Sequence, residues 1–212
     1  MCYKILRPAM DRMYNCNVLD SILFGQKLVL DFGFHENMNQ RELKSCISQV
    51  QELYGFNKIN REPFDLYFCN LQANCEFARK LSAGMGNLKT SSCLVTASDK
   101  SYLDFFQKEK LVYLTPDCKN DLNVFNYDDV YIVGGLVDLR SNVPLAMSKA
   151  KSEGLRMARL PLEKYVHWGI GSKSLTLDQI VKILLTLKNS KSWTKAFQHV
   201  PGRKLYKSGK NH

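Results

Sequence analysis

The stretch "DVYIVGGLVD" at residues 129–138 constrains this chain most. Residues 130–133 are apolar at every position, so a strand built from them needs cover on both faces. A sheet with one wet face would alternate apolar and polar residues instead. Further strands are read at "KLVLDFGF" (27–34), "FDLYFCNL" (64–71), "SCLVTAS" (92–98) and "LVYLTPD" (111–117). A short one lies in "LRMARLPL" (155–162), broken at Pro161. Helices are read between and after them. Leu43, Ile47, Val50 and Tyr54 share a face within 38–55, with Gly55 as the stop, and "ANCEFARKLSAG" (73–84) closes on Gly84. "SYLDFFQ" (101–107) reads as a short helix, and 144–154 has Pro144 near its first turn and Gly154 past its end. In 176–189, Leu177, Ile180, Val181, Leu184 and Leu187 share a face, and 192–200 forms a last short helix. The alternation implies an α/β fold, a mostly parallel sheet with helices on both faces. Residues 1–21 lack a clean period and read as an N-terminal arm, 22–205 as one domain and 206–212 as a basic tail.

Several function classes find no carrier. With 45% apolar residues in 212, the chain has enough to build a core. No apolar run approaches the roughly 18 residues a membrane span requires, and "MCYKILRPAM" is too short and broken for a signal peptide. The seven cysteines form no C-x-x-C pair, so neither a disulfide framework nor a zinc site is expected, and a reducing compartment is. The four histidines show no metal-ligand spacing. "GMGNLK" (84–89) lacks the third glycine of a dinucleotide fingerprint, and "GIGSKS" (169–174) lacks the spacing of a phosphate loop.

Charge points to a partner. Residues 139–212 hold fifteen Lys or Arg against three acids, while residues 1–138 hold fifteen against seventeen. The net charge of +10 therefore belongs to the C-terminal third, an asymmetry that favours a polyanion such as nucleic acid. Three loops lie near the C-terminal sheet edge: 134–141, 160–165 and 168–179. In an open α/β sheet the ligand crevice lies beyond the carboxyl ends of the strands. Gly134 and Gly135 would let a ligand approach the backbone there, or would only relieve packing. Asp138 is either a turn residue closing the strand or a working carboxylate.

Taken together, "VYIVGGLVD", "LPLEKYV", "SLTLDQIVKILLTLKN" and "W..AFQHVPGRK" resemble, in order and spacing, the tRNA purine-9 N1-methyltransferases of the SPOUT superfamily. "FGQKLVLDFGF" and "FDLYFCNL" extend the resemblance, which covers residues 8–205. "YFCNL", "KYVHW.IG.K.LTLDQ" and "VP.RK" look most like the mitochondrial branch, the methyltransferase subunit associated with animal mitochondrial ribonuclease P; "GGLVD" resembles the cytosolic and nuclear branch at least as well.

That resemblance implies a SPOUT-type sheet with a C-terminal trefoil knot, which periodicity alone could not suggest. It implies S-adenosylmethionine as cofactor, held by Val133, Gly134, Gly135, Leu136, Leu160, Leu162, Gly171, Ser172, Ser174, Leu175 and Leu177, with no metal. Ser172 and Ser174 stand where mitochondrial-branch members carry Asn. Asp138 matches the proposed catalytic carboxylate. Asn70, Arg140, Lys149, Arg156, Lys173 and Arg203 are the expected contacts to substrate. Implied partners are tRNA and its precursors, a short-chain dehydrogenase tetramer and a protein-only nuclease subunit. The catalytic domain would act as a monomer, without a membrane. The implied location is the mitochondrial matrix, or the nucleus or cytoplasm if the other branch applies. A non-catalytic tRNA scaffold for a precursor-processing nuclease is the competing function.

Overall fold

A computed structural model describes residues 6–86, 93–137, 143–169 and 174–206. The chain begins with helix α1 (Arg7–Phe24), then strand β1 (Lys27–Asp31), α2 (Gln40–Lys58), β2 (Asp65–Cys69), α3 (Glu76–Met85) and β3 (Thr96–Ala97). Strands β4 (Leu111–Leu114) and β5 (Val130–Gly134) follow, then α4 (Leu145–Ser152), β6 (Arg156–Ala158), α5 (Leu162–Tyr165), α6 (Leu177–Ser190) and α7 (Trp193–Ala196). The strands form one sheet in the order β3-β2-β1-β5-β4-β6, and every pairing is parallel.

Burial explains the apolar runs. Successive residues of a strand face opposite sides. Leu28, Leu30, Leu66, Phe68, Tyr131 and Val133 join one core with α2, α3, α6 and α7. Val29, Cys69, Tyr113 and Ile132 join a second core with Ala150 of α4, Tyr102 and Phe34. Both faces of the sheet are covered, as the continuous apolar strands require.

Several element ends differ from the sequence reading. The described part of the arm is helical from Arg7, because Pro8 starts α1 and the helix continues to Phe24. It buries only Val18 and Ser21, which is too narrow a stripe to leave an apolar period in the sequence. Gly55 does not stop α2, which runs on to Lys58; nothing lies near its Cβ position, and a single interior glycine costs only about 1 kcal/mol. Gly84 lies inside α3, whose cap is Gly86 at φ 94°, the conformation that favours glycine. The strand read at 92–98 contracts to two residues. The expected knot involves segments 138–142 and 170–173, which lie outside the described residues.

The topology marks a place where a ligand can bind. From β1 the chain departs through α2 towards β2, on one side; from β5 it departs through α4 towards β6, on the other. The loops after β1 and β5 therefore diverge, opening a crevice at their carboxyl ends. Asp31 and Gly134, the last residues of these strands, are register partners across that line.

Candidate active site at the carboxyl edge of the sheet

Asp31 is fully buried and makes every bond a carboxylate can use. Lys149 Nζ donates to Oδ1 at 2.8 Å and to Oδ2 at 2.7 Å. The Asn70 Nδ2 donates to Oδ1 at 2.7 Å, the Gly33 N–H to Oδ1 at 3.1 Å, and the Tyr113 hydroxyl to Oδ2 at 2.9 Å. These donors come from the loop after β1, the end of β2, β4 and α4. A buried charge is tolerated only when paired and hydrogen-bonded, and this one is both. The Lys149 ammonium also lies over Phe34, at 5.2 Å, and over Tyr102, at 5.4 Å.

The surrounding acids stay protonated. Burial, and then the charge of Asp31, raise the Tyr113 phenol well above its ordinary range. Burial pushes the Cys69 thiol up to about 12, with Asp31 adding to the shift. The Tyr102 phenol, raised by burial and by its hydrogen bond to Glu153, donates to that carboxylate. Tyr113 is thus a donor to Asp31, never a competing anion.

Asn70 closes β2 in the left-handed region, at φ 55°, which Asn tolerates better than most residues. Its N–H donates to Lys100 O at 2.9 Å, which turns the chain out of the sheet. Gly33 sits above the network: a Cβ there would lie 2.8 Å from Lys149 Nζ and 3.2 Å from Asp31 Oδ1. Gly135 donates to Asp31 O at 2.8 Å, and its Cβ would lie 2.6 Å from Phe32 Cδ1. Packing alone therefore demands glycine at 135. A Cβ on Gly134 would meet Tyr113 Oη at 3.3 Å, a milder constraint.

The sequence-derived site residues divide by placement. Val133, Gly134, Gly135 and Leu136 lie at the end of β5 beside Asp31. Leu160 and Leu175 are half-buried, and Leu162 and Leu177 buried, on the same apolar core as Leu136. Lys204 ties the third loop by donating to Ser174 O, with its ammonium 5.5 Å above the Trp168 ring. Leu177 N donates to Gln49 Oε1 at 2.9 Å, anchoring the start of α6. Lys149, expected to grip RNA, points inward to Asp31. Arg156 pairs with Asp129 at 2.6 Å, and Arg203 is exposed. Asp138, Arg140, Gly171, Ser172 and Lys173 lie outside the described residues. No cluster of metal-ligating side chains occurs among the described residues.

Sequence reasoning missed Asp31, Tyr113 and Gly33. One signal was present: "VLDFG" ends an apolar strand on a carboxylate, as "LVD" does at 138. A charge at the end of a doubly covered strand is costly unless it has a partner, and the partner, 118 residues away, had no local signature.

Comparison with known proteins decides the family. The model for tRNA (guanine(9)-N(1))-methyltransferase TRM10/TRM10A matches residues 11–205. The chain belongs to the TRM10 family. It is 40% identical over 203 residues to the Mitochondrial ribonuclease P protein 1 homolog of Drosophila melanogaster, covering 95% of this chain and 46% of that protein. It is 41% identical over 181 residues to tRNA methyltransferase 10 homolog C of Homo sapiens, covering 85% of this chain and 45% of that one. The chain thus spans about half the length of these relatives. Among TRM10 structures, the full-length spTrm10–SAH complex aligns with a TM-score of 0.73 at 30% identity, covering 82% of this chain and 94% of that one. The dual specific Trm10 of Thermococcus kodakaraensis, with a TM-score of 0.63 and 21% identity over 82% of this chain and 99% of that one, shares the fold. The parallel six-stranded sheet is that of the SPOUT Trm10 structures.

Proposed function

We propose that this chain carries an S-adenosylmethionine-dependent methyltransferase domain acting on N1 of the purine, G or A, at position 9 of tRNA. The observation that carries it is the crevice between β1 and β5, in a fold that aligns with spTrm10 bound to SAH. The residues suit the cofactor. Leu136, Leu160 and Leu175 offer half-buried apolar surface for an adenine ring, beside the loop backbone at Gly134 and Gly135. Bound S-adenosylmethionine supplies an already activated methyl group, so the protein's task is chiefly positioning. Asp138 would accept the N1 proton of guanine; with adenine, whose N1 carries no proton, it would stabilise the positive charge that develops. Asn70, just past the end of β2 and bonded to Asp31, would contact the base from the same carboxyl edge of the sheet. The catalytic unit is residues 22–205, acting as a monomer, with the C-terminal knot of its superfamily.

Exposed cations would hold tRNA by its phosphates, and the target base must leave the tRNA core to react. Lys151 and Arg203 are exposed with no ion pair among the described residues, whereas Arg156, Arg159 and Lys164 are engaged with carboxylates. The relative named Mitochondrial ribonuclease P protein 1 homolog supports the mitochondrial matrix as the location and ribonuclease P as the assembly. A dehydrogenase tetramer and a nuclease subunit would be the other components.

The test is methyl transfer from labelled donor to transcripts with A or G at position 9, with calorimetry of S-adenosylhomocysteine binding. Incorporation that Asp138→Asn reduces by about a hundredfold or more supports the reading. Intact tRNA binding without incorporation would leave the scaffold function.

A further inference from the structure

Asn70 has a fixed polarity. An amide offers two donors on one arm and an acceptor on the other, and the carboxylate beside it decides which arm turns inward. Asp31 Oδ1 lies 2.7 Å from the Asn70 amide, so only Nδ2 can face it; two oxygens at that distance would repel. Asp31 is held in turn by Lys149 and Tyr113, and its own position is set by β1. The Asn70 backbone is fixed by its bond to Lys100 O. The remaining arm, Oδ1, therefore points away from the carboxylate, on a half-exposed residue at the edge of the crevice.

We propose that Asp31 and Lys149 are positioning residues that lock the Asn70 amide, presenting its Oδ1 as an acceptor to an N–H on the Watson–Crick edge of the target base. N1 itself must stay open to the methyl donor and to Asp138, so the N–H read is that of an amino group flanking N1, the 2-amino group of guanine or the 6-amino group of adenine. Asn70 then reads the base as a donor, while Asp31 touches no ligand. The inference rests on the methyltransferase reading of the same crevice.

Asn70→Asp tests it. The substitution keeps a residue type that tolerates φ 55° and replaces only the amide nitrogen by oxygen. It brings two carboxylates to about 2.7 Å, with the one Lys149 ammonium donating to both oxygens of Asp31, including the Oδ1 that faces residue 70, and the Tyr113, Cys69 and Tyr102 groups protonated around them. Glu153 is held by Tyr102. Two carboxylates this close must share a proton. When the introduced carboxyl group is protonated it reproduces the amide: its O–H donates to Asp31 and its carbonyl oxygen accepts from the base. When it is ionised the lock is broken. The methyl-transfer rate of Asn70→Asp, divided by that of the wild type, is therefore expected to rise about tenfold or more as pH falls from about 8 to about 5.5. The change should fall on kcat, with S-adenosylhomocysteine affinity unaltered. Asn70→Gly keeps the left-handed backbone and removes the amide, so its ratio should be low and flat. A flat ratio for Asn70→Asp, or near wild-type activity in Asn70→Gly, would overturn the proposal while leaving the methyltransferase reading intact. A wild-type protein that transfers no methyl removes both.

Discussion

The pairing of Asp31 with Lys149 makes a sharp prediction about stability. Lys149 keeps about a quarter of its side chain exposed, but its carboxylate partner has no access to water. Lys149→Met would leave that carboxylate with two neutral donors and the Gly33 N–H. Removing one member of a buried pair costs about 3 kcal/mol or more. The denaturant midpoint should drop accordingly; a residue that served only to grip RNA would leave it unchanged and weaken tRNA binding alone. A second residue-scale prediction concerns His199, whose Nε2 lies 2.7 Å from Thr186 Oγ1. Burial, and then the Lys182 charge, lower its pKa below the ordinary histidine value. The unfolded chain therefore binds the proton more readily than the folded one. The stability contributed by neutral His199 is present above about pH 6.5 and is lost as pH falls below it. Thermal melts of His199→Gln should show a shallower loss between about pH 6.5 and 5 than the wild type.

At the scale of elements, helix and strand positions were legible where a residue pattern repeats, and their ends where a cap has its own chemistry. Asn39 starts α2 because its side chain accepts from the N–H groups of Arg41 and Glu42, while Glu42 accepts from Asn39 N. Asn39→Ala should cost about 1 kcal/mol, read by chemical denaturation. Gly55 and Gly84 misled because a glycine inside a helix and one past its end look alike in sequence. The β1–β5 junction shows the reverse case, a glycine whose reason is wholly tertiary. Gly135→Ala puts a methyl against Phe32, which is itself packed on Phe68 and Phe77 at 5.3 Å. With no slack in that cluster, the variant should lose about 1–3 kcal/mol in unfolding experiments, whether or not a cofactor binds.

For the whole molecule, the basic C-terminal third predicts how binding of the proposed tRNA substrate would respond to salt. Affinity should fall linearly in log–log form, by roughly a thousandfold between about 50 and 200 mM if six or more phosphates are gripped. Lys151→Ala and Arg203→Ala should each lower the slope by about one, measured by filter binding at several salt concentrations. Arg159→Ala should change it little, because Arg159 is already paired with Asp121 at 2.8 Å. Sequence by itself determined the α/β class, the doubly covered parallel strands, the basic third and the family, because burial period, charge and motif order are properties of residues in a row. The tertiary structure alone decided that Asp31, Asn70, Tyr113 and Lys149 form one unit, since strand order brings together residues up to 118 positions apart. It also turned Lys149 inward, because a carboxylate with no access to water is left uncompensated unless a charged partner meets it.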